Sequence, residues 1–220
     1  MIVLSIDTCL QACSAAIVKD GAPLAVRSEA REKGHAERLA PLVAEVLDAA
    51  GTNPAQITRI GVTTGPGSFT GVRVGLAFAR GLAVARPVEL VGISTLEAIA
   101  AGVTVHDGAV RGVLIDGRRG QVYGQLFDGA SLMPLAEPFV ENPDIAATLL
   151  RDQAAGRDLV LAGTGVPLAF PDRMDDFDWA TQQPDAVVIA SLSAARPADA
   201  EPPAAFYLRP PDAKPARPML

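Results

Sequence analysis

Gly65-Pro66-Gly67-Ser68-Phe69-Thr70-Gly71-Val72-Arg73-Val74-Gly75 decides how this chain of 220 residues is read. An apolar run, Ile60 to Thr64, leads into it as a strand, and a nearly all-apolar helix, Thr70 to Arg86, leaves it. A strand that feeds a glycine turn and then a helix is laid out like a phosphate-cradling loop, yet the chemical parts differ. No Gly-Lys-Ser/Thr follows, so it is not a Walker loop. The glycines fall as G-x-G-x-x-x-G, one residue longer than the dinucleotide pattern, and Pro66 removes a backbone donor from the turn.

Upstream of this segment, Ile2 to Asp7 and Ser14 to Val18 read as strands. Lys19-Asp20-Gly21-Ala22 turns the chain into a third strand, Leu24 to Ser28, because Asp-Gly is a strong hairpin signal. A helix is predicted over His35 to Ala50. Leu39, Leu42, Val43, Val46 and Leu47 share one face of it, and Gly51 is placed to end it in a left-handed cap. Downstream, Pro87 stops the second helix and Leu90 to Ile93 forms the next strand. Ser94-Thr95-Leu96-Glu97 reads as a capping box for a third helix. The pattern restarts with strands Arg111 to Asp116 and Gln121 to Phe127, a short helix from Asn142-Pro143 to Leu150, a strand Leu159 to Ala162 and a helix Val187 to Ala195. Both halves begin with a strand ending in aspartate, Asp7 and Asp116. The expected organisation is a first α/β lobe over residues 1–104, a smaller lobe over 105–196 and a proline-rich segment over 197–220 that is extended and returns toward the first lobe.

Composition narrows the function classes. Apolar residues make up 49% of the chain, enough for a sizeable core, but no apolar run is long enough to span a bilayer. Met1 to Asp7 carries no basic segment ahead of its apolar run, so it reads as a strand and not a signal peptide. Two cysteines, Cys9 and Cys13, are too few for a disulfide scaffold and suggest a reducing, cytoplasmic setting. A net charge of −6 suits a phosphate backbone poorly, and 5% aromatic residues leave little for base stacking. Any nucleic acid is therefore expected to be met through a basic partner.

Several segments together resemble one family. They are Ile6-Asp7-Thr8, His35-Ala36-Glu37-Arg38-Leu39-Ala40-Pro41, the glycine segment, Ile93-Ser94-Thr95-Leu96-Glu97-Ala98, Ile115-Asp116 with Gln121-Val122-Tyr123, and Tyr207-Leu208-Arg209. This set is similar to the TsaB (YeaZ) family, the partner subunits in making threonylcarbamoyladenosine in tRNA. The resemblance implies an actin-like, sugar-kinase-like (ASKHA) α/β fold with two lobes and a mostly non-catalytic role. The implied partners are a TsaD-like catalytic subunit, a TsaE-like ATPase and, when alone, a second copy. tRNA is met only through the complex, and no membrane is involved.

Individual residues bear on that implication. In the catalytic relatives two histidines four apart hold a metal, and Thr95 and Ile99 stand in those places here; Ile99 has no lone pair to offer. The two histidines of the chain, His35 and His106, lie far apart in sequence, and Cys9 with Cys13 supplies only two ligands. No metal set and no catalytic set is expected, which excludes a metallopeptidase. Actin-like kinases use Asp-x-Gly-Thr between their first strands. Here Asp7-Thr8-Cys9-Leu10 keeps only the aspartate, and Asp116-Gly117-Arg118-Arg119-Gly120 places arginines where glycines belong. Asp7, Thr8 and Asp116 remain as a residual ATP or ADP site; the competing function is an ATP-binding or ATP-hydrolysing enzyme of that superfamily.

The helix Thr70 to Arg86 supplies the positive expectation. It is apolar nearly all round, so it should be buried on two sides, one of them by another chain. Gly71, Gly75, Ala79 and Ala83 form a small-residue stripe at spacing four that permits close helix approach. The expected interface combines His35, Leu39, Leu42 and Val46 of the first helix with Gly71, Val72, Gly75, Ala79 and Leu82 of the second. Each buried Val, Leu or Phe there would contribute roughly 1.5–3 kcal/mol.

Overall fold

The computed structural model describes residues 1–176 and 182–209. In the first lobe β1 (Ile2–Asp7), β2 (Ala12–Lys19) and β3 (Ala22–Ala30) form an antiparallel meander. It is followed by α1 (His35–Ala49), β4 (Arg59–Thr63), α2 (Phe69–Ala85), β5 (Glu89–Ile93) and α3 (Thr95–Gly102). The sheet order is β3-β2-β1-β4-β5, with β4 and β5 parallel to β1. The β2–β3 turn places Asp20 at φ 48° and Gly21 at φ 85°, the two left-handed residues that an Asp-Gly hairpin turn requires. Gly51 follows α1 at φ 58°. There its N–H donates to Asp48 O and that of Thr52 to Leu47 O, so the last carbonyls of the helix are satisfied. Arg86, held extended by Pro87, ends α2.

The second lobe repeats the scheme in reduced form. It contains β6 (Val110–Asp116), β7 (Val122–Asp128), β8 (Phe139–Glu141), α4 (Pro143–Ala154), β9 (Leu159–Ala162) and α5 (Val166–Ala169). Its order, β8-β7-β6-β9, matches β3-β2-β1-β4 with the same strand directions. Strand β8 and helix α5 are too short to have left a sequence signal.

Two corrections concern what covers the sheets. The helix α6 (Ala186–Ala194), expected in the second lobe, packs on the first. Ala186 and Ala190 meet Val3, Ala16 and Val18 on the face opposite α1 and α2. Its seat is specific: Ser5 Oγ donates to Ala186 O at 2.5 Å, and Arg59 donates to Ser193 O at 2.7 Å and to Arg196 O at 2.6 Å. The capping box at Ser94 does not form. Ser94 Oγ is buried without a partner, and the Glu97 carboxylate, which would reach back to Ser94 N, is taken by the Arg196 guanidinium.

After α6 the chain does return across the first lobe. Asp199 N donates to Leu90 O and Phe206 N to Thr64 O, while Arg80 donates to Pro203 O at 2.6 Å. Residues beyond 209, with Pro210, Pro211, Pro215 and Pro218 of the expected tail, lie outside the described residues. Leu10 and Leu208 both pack against the cluster of Leu96, Ile99, Val113 and Ile115, where α3 joins the two sheets.

Candidate functional site: two strand-end turns and the helix beside them

The aspartate at the end of β1 lies under the glycine segment. Asp7 is fully buried. Its Oδ1 accepts from Thr63 Oγ1 at 2.5 Å and from Cys9 N at 3.1 Å, while Oδ2 has no hydrogen-bond partner. Burial pushes its carboxyl up from 3.8 to about 6, against the opposing effect of the Thr63 and Cys9 bonds. Burial also raises the Cys9 thiol to about 12, helped by the charge of Asp7, so Cys9 is no nucleophile. Thr8 Oγ1 donates to Gly71 O at 2.7 Å, and Cys9 O accepts from Ser68 N at 2.7 Å.

The glycines explain this closeness. A Cβ on Gly71 would stand 2.0 Å from Thr8 O, one on Gly67 2.4 Å from Cys9 O, and one on Gly75 2.7 Å from Thr8 Oγ1. The segment that looks like a phosphate cradle thus packs onto the chain's own first turn. Asp7 and Thr8, expected as nucleotide contacts, are 0% and 1% exposed and offer a nucleotide no surface. Asp116 is open, with 28% of its side chain exposed, but it serves its own turn. Its Oδ1 accepts from Arg118 N at 2.8 Å, and its Oδ2 lies 3.4 Å from the Arg118 guanidinium. The three residues expected to share one nucleotide site are therefore in different situations and do not form one open site among the described residues.

The interface residues need the same correction. His35, Leu39, Leu42 and Val46 of α1 and Gly71, Val72, Gly75 and Ala79 of α2 are all buried inside their own lobe; Leu82 is half-buried. Apolar periodicity identifies the face turned to the nearest core, and here the first sheet supplies that core. The small stripe does permit close approach, but of the turn Asp7–Leu10 and not of another chain. What faces outward on α2 is Phe69, Arg73, Ala77, Arg80, Gly81 and Val84. Phe69 is 41% exposed and Val84 89%. On α1 the outward residues include Ala36, Glu37, Ala40, Pro41, Ala44, Glu45 and Asp48. The available signal was the set of α2 apolar residues lying opposite the small stripe.

The returning C-terminal segment completes this face. The Tyr207 ring lies 5.5 Å from that of Phe69, and Arg73 stacks on Phe69 at 3.6 Å while donating to Tyr207 Oη at 3.1 Å. Among the described residues no group of three or more His, Cys, Asp or Glu could hold a metal ion, and no helix is long and apolar enough to cross a membrane.

Comparison with known proteins agrees with this geometry. A family model described as TsaD, tRNA N6-adenosine threonylcarbamoyltransferase, matches residues 26–144. The TsaB threonylcarbamoyladenosine biosynthesis protein of Escherichia coli is 40% identical over 124 residues, covering 56% of this chain and 53% of that protein, so the match spans about half the relative's length. The solved structure of YeaZ from Pseudomonas aeruginosa superimposes with a TM-score of 0.73 at 30% identity, over 88% of this chain and 90% of that one. For the fold alone, the (R)-2-hydroxyglutaryl-CoA dehydratase component A of Acidaminococcus fermentans gives a TM-score of 0.52 at 14% identity over 88% of this chain. Two lobes of like topology, a strand-end turn sealed by glycines and a near-full-length match to YeaZ place this two-lobed, actin-like α/β chain in the TsaB/YeaZ family, within the wider TsaD group.

Proposed function

We propose that this chain is a non-catalytic, cytoplasmic partner subunit for threonylcarbamoyl transfer to tRNA. In this reading it docks on a TsaD-type catalytic subunit through the outward faces of α1 and α2, helps recruit a TsaE-type ATPase, and meets tRNA only within the complex. The observation that carries the reading is the outer face of α2. It is apolar or small at Ala77, Gly81 and Val84, which its own lobe leaves exposed, and at Phe69, which Arg73 and Tyr207 partly cover. Apolar surface of this kind gains roughly 25 cal/mol per Å2 when a partner removes it from water. The face is also self-complementary in charge. Glu37 and Asp48 lie outward on α1 beside Glu45, which is paired with Arg38 at 2.7 Å, while Arg73 and Arg80 lie outward on α2 and Arg86 just past its end. A two-fold related copy that set acid against base would let the chain pair with itself when the catalytic subunit is absent.

Gly75 and Ala79 are unsuitable for testing this, since both are buried and a large residue there would disturb the lobe itself. Ala77→Glu and Val84→Glu act on the outside. Light scattering after size exclusion is expected to show at least a roughly tenfold loss of affinity for the TsaD-type subunit. The melting temperature of the lone chain should stay within about 2 °C of wild type. Undiminished complex formation by both variants would refute the docking face.

A further inference from the structure

The returning segment, which ends in Tyr207-Leu208-Arg209, belongs to neither lobe alone. Two glycines of the first lobe make room for it. A Cβ on Gly92 would stand 2.9 Å from Pro203 Cβ, and one on Gly65 2.6 Å from Phe206 O. Gly92 N donates to Asp199 Oδ2 at 2.9 Å, and Phe206 N donates to Thr64 O at 2.8 Å. The next three residues reach three different bodies. The Tyr207 ring lies beside that of Phe69, and its Oη accepts from Arg73 Nε at 3.1 Å. Leu208 packs against the cluster of Leu96, Ile99, Val113 and Ile115 between the two sheets. Arg209 Nη1 donates to Gly117 O and to Gln121 Oε1, both at 3.2 Å. One short stretch thus joins the outer face of α2, the inter-lobe cluster and the open turn after β6.

That turn is one that needs holding. Arg118 (φ 62°), Arg119 (φ 56°) and Gly120 (φ 73°) are successive left-handed residues, and the two arginines carry side chains that disfavour this backbone. Such a conformation persists only where its surroundings fix it. Within the turn, Gly117 N donates to Gln121 O at 2.9 Å, Gln121 N to Arg118 O at 3.2 Å and Arg118 N to Asp116 Oδ1 at 2.8 Å. Arg209 adds a brace from outside, because its two acceptors flank the left-handed run, Gly117 before it and Gln121 after it. A second left-handed pair in the same lobe, Ala155 (φ 51°) and Gly156 (φ 79°), is held locally. There Ala155 N donates to Asp152 O at 3.1 Å and Arg157 N to Ala154 O at 2.9 Å.

We propose that residues 207–209 form a strap with a seated and a released position, and that seating Tyr207 on Phe69 and Arg73 keeps the turn 117–121 in its left-handed shape. Tyr207 and Arg209 are two positions apart, so ordering one restricts the other. The entropy lost in fixing the strap is then shared by both contacts. The second lobe's turn is in this way linked to the outer face of α2. A consequence for assembly rests on the proposed function: a TsaD-type subunit docked on that face covers Phe69 and Tyr207 and favours the seated strap. Amide exchange followed by NMR on the full-length chain tests this. The reporters are Gly117, Arg118 and Gln121, and Ala155 and Arg157 serve as controls in the same lobe.

In the lone chain, Tyr207→Ala should speed exchange at the three turn amides about 5- to 20-fold while the two controls stay within about twofold. Arg209→Gln should do the same through loss of the brace. Tyr207→Phe, which keeps the ring on Phe69, should recover most of the protection. Unchanged turn exchange in Tyr207→Ala would overturn the strap, and so would equal acceleration at Ala155 and Arg157, which would mean general loosening. Adding the TsaD-type subunit to the wild-type chain should slow the turn amides about threefold or more. The Arg209→Gln chain should bind the subunit equally well and gain no such protection. Slowing of the same size in Arg209→Gln would overturn the link, because the subunit would then be covering the turn directly. Failure of the wild-type chain to form the complex, seen in its mass, would overturn the functional reading alone, since the lone-chain exchange decides the strap.

Discussion

The turn after β1 and the turn after β6 begin from the same device and end in opposite states. Each comes after a strand that closes on aspartate, and each is met by a glycine-bearing connection from the neighbouring parallel strand. In the first lobe that connection is Gly65 to Gly71. It presses onto the turn until Asp7 is fully buried, Thr8 hydrogen-bonds Gly71 O and Cys9 O accepts from Ser68 N. In the second lobe Gly163 and Gly165 pack on the β6 strand, within reach of Leu114 and Ile115. Thr164 Oγ1 accepts from Asp116 N, and the turn Asp116 to Gly120 stays open with Arg118 and Arg119 at positive φ. The two turns differ in the length of the helix that the glycines introduce. The 17-residue helix α2 is seated by Gly71 and Gly75 against the first turn, whereas the four-residue α5 is too short to seal its counterpart. A strand-end turn can thus be closed by glycines, the residue type that elsewhere opens one to phosphate.

The largest expected effect breaks the sealed turn directly. Gly71→Val would force a Cβ to within 2.0 Å of the backbone oxygen of Thr8, with no flexible side chain to give way. A loss of about 3 kcal/mol or more is expected, observed as failure to fold or as a large fall in the urea midpoint. Near wild-type stability would mean the seal is looser than the geometry shown.

A second test concerns the buried carboxyl. The folded pKa of Asp7, about 6, lies above its unfolded value near 3.8. The folded state therefore binds the proton more tightly, and this contribution is fully present below about pH 4 and lost as pH rises through 6. The chain should lose up to about 3 kcal/mol of unfolding free energy from this group over that window. Asp7→Asn should flatten that part of the profile in urea titrations run at a series of pH values. An unaltered profile would show that Asp7 ionises without cost in the folded state.

The smallest effect falls on the open turn. Asp116→Asn keeps an acceptor for Arg118 N and removes only a partly exposed ion pair, so stability should change by less than about 0.5 kcal/mol. A cost comparable to that at Asp7 would erase the contrast between the two turns.

Much of this architecture was legible in the chain. The period of Leu39, Leu42, Val43, Val46 and Leu47 located α1 and its buried face, and Asp20-Gly21 and Gly51 marked their turns through conformations few other residues adopt. The strands β1, β4 and β5 came from short apolar runs between turn signals. The docking of α6 on the first sheet was hidden, because its attachment joins Arg59 to Ser193 and Arg196, more than 130 positions away. The Glu97 half of the expected capping box was lost for a related reason, since its carboxylate is held by Arg196, 99 positions away.

Local pattern determined the elements, the glycine turn, the absence of a Walker lysine and the family resemblance, because each depends on residues within a few positions of one another. Only the tertiary structure decided which apolar face of α2 is spent on its own lobe and which remains exposed. The sequence period places apolar residues around the whole helix, and one side is distinguished from the other only when the turn after β1 occupies it.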